Sequence, residues 1–188
     1  LMIACIGVFM VMTVGGLDFS QGSMLGLSSI VISYLSFHSI PVAIVAGIVT
    51  GMFIGSFNGL FHIVFKIPSF IVTICSMFLF RGICAYLTTD APVAAITSIT
   101  VFNDTWINIA LTLAVLVIVF LLFRFTRLGI VLKAIGAGET AARFSGIRTN
   151  RVKFLVFVAA GAITGFAAFL NVAKVGSITA TSGNQLEA

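Results

Sequence analysis

The chain has 188 residues, of which 60% are hydrophobic and 8% charged, with a formal charge of +5 and a mean hydropathy of +1.25. Those proportions exclude an ordinary soluble globular domain, so lipid is the expected solvent, and at about 20 apolar residues per span the length allows roughly six spans in one membrane domain. A basic soluble protein would point to nucleic acid. Here seven of the ten Lys and Arg residues fall between Arg124 and Lys153, and a local cluster of that kind is an orientation signal with no nucleic acid implied.

In chain order, apolar segments lie near 1–14, 24–37, 41–65, 69–87, 106–124 and 154–172, each bounded by Gly, Pro or charge. Continuous apolar runs satisfy their backbone groups as helices, whereas barrel strands alternate, so the expected fold is an all-α polytopic transmembrane helical bundle. The first segment lacks the basic flank and small-residue cleavage site of a signal peptide. The expectation is a chain that starts inside a span and stops, at Ala188, just after a new polar stretch: a fragment truncated at both ends.

Gly15-Gly16-Leu17-Asp18-Phe19-Ser20-Gln21-Gly22-Ser23 is polar and glycine-rich between two short apolar runs. Two readings stand side by side. An interrupted helix is tolerated in lipid where its backbone is buried in protein or lines a cavity, as at transporter binding sites; a simple inner loop would instead use Asp18 and Ser20 as a helix N-cap.

The 41–65 segment carries glycines at 47, 51, 55 and 59 and phenylalanines at 53, 57, 61 and 65. Positions two apart lie about 200° apart on a helix, so the two stripes face opposite ways and the glycine stripe admits a close neighbouring backbone. Gly161 and Gly165 repeat the pattern in the last span, and these glycines are expected to pack helices rather than bind a solute. Asn58, beside Gly59, must find a partner between helices or face a path. Arg81, near the end of its span, either snorkels to the surface or pairs with a carboxylate or helix end. His38 and His62 fall near expected interfaces in structural roles. Cys5, Cys75 and Cys84 sit in apolar runs without metal-ligand spacing and read as small hydrophobes.

The positive-inside rule places 125–153, with its basic cluster, in the cytoplasm. The 88–105 connection, with Asp90 and Asp104 but no Lys or Arg, then lies outside, Lys66 and Pro68 mark an inner turn, and His38–Pro41 an outer one. Val175-Gly176, Thr181 and Gly183 overlay Val14-Gly15, Ser20 and Gly22, and with the preceding spans running in opposite directions the overlay is that of an inverted repeat. Within the cytoplasmic segment, Gly138-Glu139-Thr140-Ala141-Ala142-Arg143-Phe144-Ser145-Gly146 reads as a short helix, with Glu139 at its positive end and Gly146 as a left-handed stop. Two turns do not hold themselves in water. The segment therefore either docks on a partner through Ala141, Ala142 and Phe144 or lies on lipid headgroups.

Val14-Gly15-Gly16-Leu17-Asp18-Phe19-Ser20, Gly55-Ser56-Phe57-Asn58-Gly59, Lys66-Ile67-Pro68-Ser69-Phe70-Ile71-Val72-Thr73, Arg81-Gly82, and Ala134-Ile135-Gly136 through Glu139, Ala141, Ala142, Ser145, Gly146 and Ile147 occur in an order and spacing that resembles the membrane subunit of bacterial ribose-type ATP-binding-cassette importers. That group also includes branched-chain amino-acid permeases. The resemblance implies that 1–188 is a single transmembrane permease domain of the bacterial inner membrane. It also implies that Glu139, Thr140, Ala141, Ala142, Arg143, Phe144, Ser145 and Gly146 form the coupling helix that enters a groove on a cytoplasmic ATPase. Gly138 departs from the family's usual Asn cap, so a looser helix start is expected.

By the same resemblance the partners are a second permease subunit, two ATPases and a periplasmic substrate-binding protein, and Asp18, Ser20 and Asn58 are candidates for the translocation path. No catalytic residue, cofactor or metal is expected in the chain, which shows no phosphate-binding loop and no nucleophile with a base. A sugar is the expected solute. The alternatives are another solute, such as a branched-chain amino acid or a sugar-like signal, and a stand-alone secondary transporter or channel, which would ordinarily carry more intramembrane charge than Asp18 and Arg81 supply.

Overall fold

A computed structural model describes residues 2–89, 93–95 and 104–178. Its elements in order are α1 (Met2–Thr13), α2 (Gln21–Ser36), α3 (Ile40–Val64), α4 (Ser69–Leu87), β1 (Val93–Ala94), α5 (Thr105–Phe125), α6 (Arg127–Ala137), α7 (Glu139–Phe144), α8 (Thr149–Val175) and β2 (Ser177–Ile178). Among the described residues, four helices are long and apolar enough to cross a bilayer: Ile40–Val64, Ser69–Leu87, Trp106–Phe125 and Thr149–Val175. At about 1.5 Å per residue, α3 and α8 exceed the ~30 Å hydrocarbon core, whereas α1 and α2 fall short of it. The fold is an all-α helical membrane bundle.

The centre of the bundle is α2, which packs against α3, α4 and α8. Most of its residues are buried, although Gln21, Ser23, Ser28, Ser29, Ser33 and Ser36 are polar. Small hydroxyl side chains let three helices close on it, and several are satisfied by the helix itself: Ser23 Oγ donates to Ser20 O at 2.8 Å, Ser33 Oγ to Ser29 O at 2.9 Å and Ser36 Oγ to Ser33 O at 2.7 Å. The helix begins at Gln21, three residues before the expected start at 24, because Gln21, Gly22 and Ser23 pack inside the protein and need not reach water.

The most extensive interface joins α3 to α8. Gly47, Gly51 and Gly55 of α3 face Gly165, Gly161 and Phe157 of α8, and a methyl group on any of these five glycines would overlap a neighbour: side-chain atoms of Ile32 of α2 at Gly47, and backbone carbonyl oxygens of the facing helix at the others. The phenylalanine stripe points away. Phe53 and Phe65 are exposed, and Phe57 meets Phe61 and Phe80 with ring centroids 4.5 and 5.7 Å apart.

The basic region between α5 and α8 holds more order than a single short helix. α5 runs to Phe125, α6 follows after one residue, and α8 begins at Thr149, five residues before the expected 154. Gly136 of α6 lies so close to Thr13 that a side chain would strike the Thr13 carbonyl, which seats this region against the end of α1. At the opposite end of α8, Val93 pairs with Ile178 and Ala94 with Ser177 in a short antiparallel ladder. Gly15 and Gly176, matched in the repeat overlay, are both left-handed at φ 79° and 73° and both follow a helix; Thr181 and Gly183 of that overlay, and Asp90 of the outer connection, lie outside the described residues.

Candidate functional site: a buried polar hub and a docked basic-end helix

The break between α1 and α2 is fastened to three other helices. Leu17 N donates to Ser69 Oγ at 3.0 Å and Phe19 N to Thr73 Oγ1 at 3.3 Å, so the first two turns of α4 accept two amide groups that no helix satisfies. Asp18 is 6% exposed. Its Oδ1 accepts from Ser20 N at 2.9 Å and Ser20 Oγ at 2.6 Å, and its Oδ2 accepts from Gln21 Nε2 at 2.8 Å. A buried carboxylate is tolerated where several donors surround it.

Ser20 stands at the N-cap position of α2 but makes no side-chain capping bond. Its hydroxyl is committed elsewhere: it donates to Asp18 and accepts from Asn58 Nδ2 at 2.8 Å. The simple N-cap reading therefore fails for Ser20, because the tertiary partners take the group that capping would use. Gln21 Oε1 completes the hub by accepting from Thr164 Oγ1 of α8. Asp18, Ser20 and Asn58 are thus brought together, while Gln21, Ser69, Thr73 and Thr164 join them unannounced by spacing. Asn58 Oδ1 is buried with no hydrogen-bond partner among the described residues, leaving one acceptor of the hub unoccupied. Asn58 lies six residues before Val64, or about 9 Å along α3, so the hub sits well inside the basic end of the bundle.

The second region is α7 with its surroundings. Ala142 is buried in a cluster with Val11, Leu132, Ile135 and Val156, which ties α7 to α1, α6 and α8. Thr140, Ala141, Arg143, Phe144, Ser145 and Gly146 are exposed, with Phe144 93% exposed. Glu139 holds the helix from its other side. Lys153 Nζ lies 2.6 Å from Oε2, Arg143 Nη2 3.2 Å from Oε1, and Thr149 Oγ1 donates to Oε1 at 3.4 Å. The Lys153 hydrogen bond, with the charges of Lys153 and Arg143 and the Thr149 hydroxyl, keeps the Glu139 carboxyl below its ordinary range against a smaller opposing effect of burial. Gly138 caps without a side chain, and Gly146, at φ 81°, ends the turn with its amide on Arg143 O at 3.0 Å.

A polar cavity of about 630 Å³ separates α7 from the α3–α4 turn and is lined by His62, Lys66, Glu139, Arg143, Asn150 and Lys153 among others. His62 Nδ1 is 2.7 Å from Ile67 O and so carries its proton there, closing the turn around Lys66, whose backbone is left-handed at φ 55°. His62 is structural in this arrangement. Arg81 is partly buried in α4; Cys5 and Cys75 are exposed and Cys84 is buried.

Four bilayer-length apolar helices, a central helix carrying five buried serines, and a polar break fastened inside the bundle define a multi-pass membrane protein. Residues 1–188 match the family described as branched-chain amino acid transport system / permease component, and the chain belongs to that family. It is 31% identical over 199 residues to the ribose import permease protein of Escherichia coli (strain K12), covering 98% of this chain and 61% of the relative. Against the ribose import permease protein of Bacillus subtilis (strain 168) the identity is 34% over 191 residues, covering 96% and 59%. Against the L-arabinose transport system permease protein of Escherichia coli (strain K12) it is 33% over 186 residues, covering 94% and 56%. The chain spans about three fifths of the length of these curated relatives. No solved structure matches it.

Proposed function

We propose that the chain is the membrane-spanning permease subunit of an ATP-binding-cassette importer that carries a ribose-like monosaccharide across the bacterial inner membrane by alternating access. Two cytoplasmic ATPases hydrolyse the nucleotide, a second permease subunit completes the path, and a periplasmic binding protein delivers the solute. The observation that carries this reading is α7: a helix of 6 residues, too short to stand alone, seated on the bundle by Ala142 and Glu139 while Phe144 projects outward. An apolar ring presented in this way fits a groove on a partner, and the rigid seat transmits the partner's movement to α1, α6 and α8.

Asp18, Ser20 and Asn58 are the residues proposed to meet the solute when the bundle opens. The unpartnered Asn58 Oδ1 supports this role, since a sugar hydroxyl would supply the missing donor. Relatives named for ribose and L-arabinose import support a monosaccharide. The family's own description supports the second reading, a branched-chain amino acid.

The test is co-purification of the full-length protein in detergent with its candidate ATPase, followed by uptake of labelled ribose into proteoliposomes. Wild type is expected to retain the ATPase, and Phe144→Asp and Glu139→Ala to release it while the membrane domain stays monodisperse. If wild type binds no ATPase, a stand-alone transporter or channel becomes the account. If labelled leucine is taken up in place of ribose, the amino-acid reading replaces the sugar.

A further inference from the structure

Of the bilayer-length helices, α5 is the least enclosed: it touches α1 and α6, and among its described residues Val119 alone is buried. Between α1 and α5 runs a cavity of about 710 Å³ walled by Cys5, Ile6, Phe9, Leu116, Phe120 and Phe123. Its remaining walls are apolar except for Arg124 and Lys133. Arg124 lies in the last turn of α5 and Lys133 on α6, so both cations lie toward the end of the groove where α5 meets α6. Both side chains are exposed and neither forms an ion pair with any described residue.

Dimensions and charge together select the occupant. On α5 the groove extends from Leu116 to Arg124, about 12 Å of helix, close to the ~15 Å of hydrocarbon in one leaflet. The two cations then stand at the level of the headgroups. A soluble anion would satisfy them and leave the apolar slot empty. A neutral lipid would fill the slot and leave them unpaired. Another helix would need carboxylates of its own at this one level.

We propose that the groove is a binding site for an anionic phospholipid, with one acyl chain between α1 and α5 and the headgroup phosphate on Arg124 and Lys133. Basic pockets between spanning helices attract anionic headgroups through the same combination of slot and charge. The site is independent of the solute and of the ATPase partner, and bound lipid would fill the space between α5 and the bundle.

The experiment uses the full-length protein in liposomes containing phosphatidylglycerol or phosphatidylcholine, each with a photoreactive group on the acyl chain, and maps the labelled peptides. Phosphatidylglycerol is expected to label the peptides bearing Cys5–Phe9 and Leu116–Phe123 roughly tenfold more than phosphatidylcholine. Arg124→Gln with Lys133→Gln should erase that preference, and Arg124→Lys should keep it. Equal labelling by the two lipids in wild type overturns the proposal, as does absence of label on these peptides because another segment of the chain or a second copy covers the groove. Should the double variant fail to reach the membrane, the wild-type lipid comparison and Arg124→Lys still decide.

Discussion

Gly51 and Gly161 each stand where the other's helix leaves no room for a side chain: a methyl on Gly51 would overlap the Gly161 carbonyl oxygen, and a methyl on Gly161 the Gly51 carbonyl. In lipid, apolar side chains gain little by leaving their solvent, so close backbone packing of this kind supplies much of the association between helices.

Gly51→Ala is therefore expected to lower stability by about 1–3 kcal/mol, since backbone must move to admit it. Gly82→Ala, at a helical position with nothing within 4 Å of the added atom, should be neutral or gain up to about 1 kcal/mol. Thermal unfolding of the purified protein in one detergent, comparing both variants with wild type, reads the difference; equal midpoints would remove the α3–α8 interface from this role.

The hub separates structure from transport through two substitutions. Asp18→Asn puts an amide where Ser20 and Gln21 donate, and should cost about 1–3 kcal/mol of stability. Asn58→Leu breaks one hydrogen bond to Ser20 but also removes the unpartnered Oδ1, so its stability should change by less than about 1 kcal/mol. Uptake by Asn58→Leu should nonetheless fall well below wild type. Normal uptake would place Asn58 outside the path.

The Glu139 carboxyl is held below its ordinary range in the folded protein. A carboxyl of this kind contributes stability above its unfolded pKa, near 4.3, and loses it as pH falls through the lower folded value. Glu139 is 38% exposed, so the contribution is that of a partly screened pair, at most about 1 kcal/mol. Hydrogen exchange at the α7 amides, normalised for intrinsic rate, should accelerate relative to Glu139→Gln as the solution is taken below pH 4. Parallel profiles would show that Lys153 and Arg143 do not hold the helix.

Lys66 is left-handed at φ 55°, the one such residue besides glycine among those described. Glycine carries no Cβ penalty there, so Lys66→Gly should raise stability by about 1 kcal/mol. A lowered unfolding midpoint would instead assign the Lys66 side chain a stabilising contact at the α3–α4 turn.

Composition and periodicity alone determined the membrane class, the helical bundle and the opposed glycine and phenylalanine stripes of α3, because each is a property of consecutive residues on one helix. The short helix at Glu139–Phe144 and its glycine stop were legible for the same reason. The partners were not. No spacing joins Gln21 to Thr164, 143 positions away, or Leu17 and Phe19 to Ser69 and Thr73, although Ser69 and Thr73 fall within a stretch that carries the family resemblance. Polar Gln21–Ser23 read as part of a break between two apolar runs and is helix because α3, α4 and α8 enclose α2. Lys153, a further 14 residues along from Glu139, looked like part of a charge cluster and proved to be its closest ion partner. Local sequence fixes which backbone states and faces each segment favours; which buried polar group meets which is decided only when distant helices close around them and shut out water.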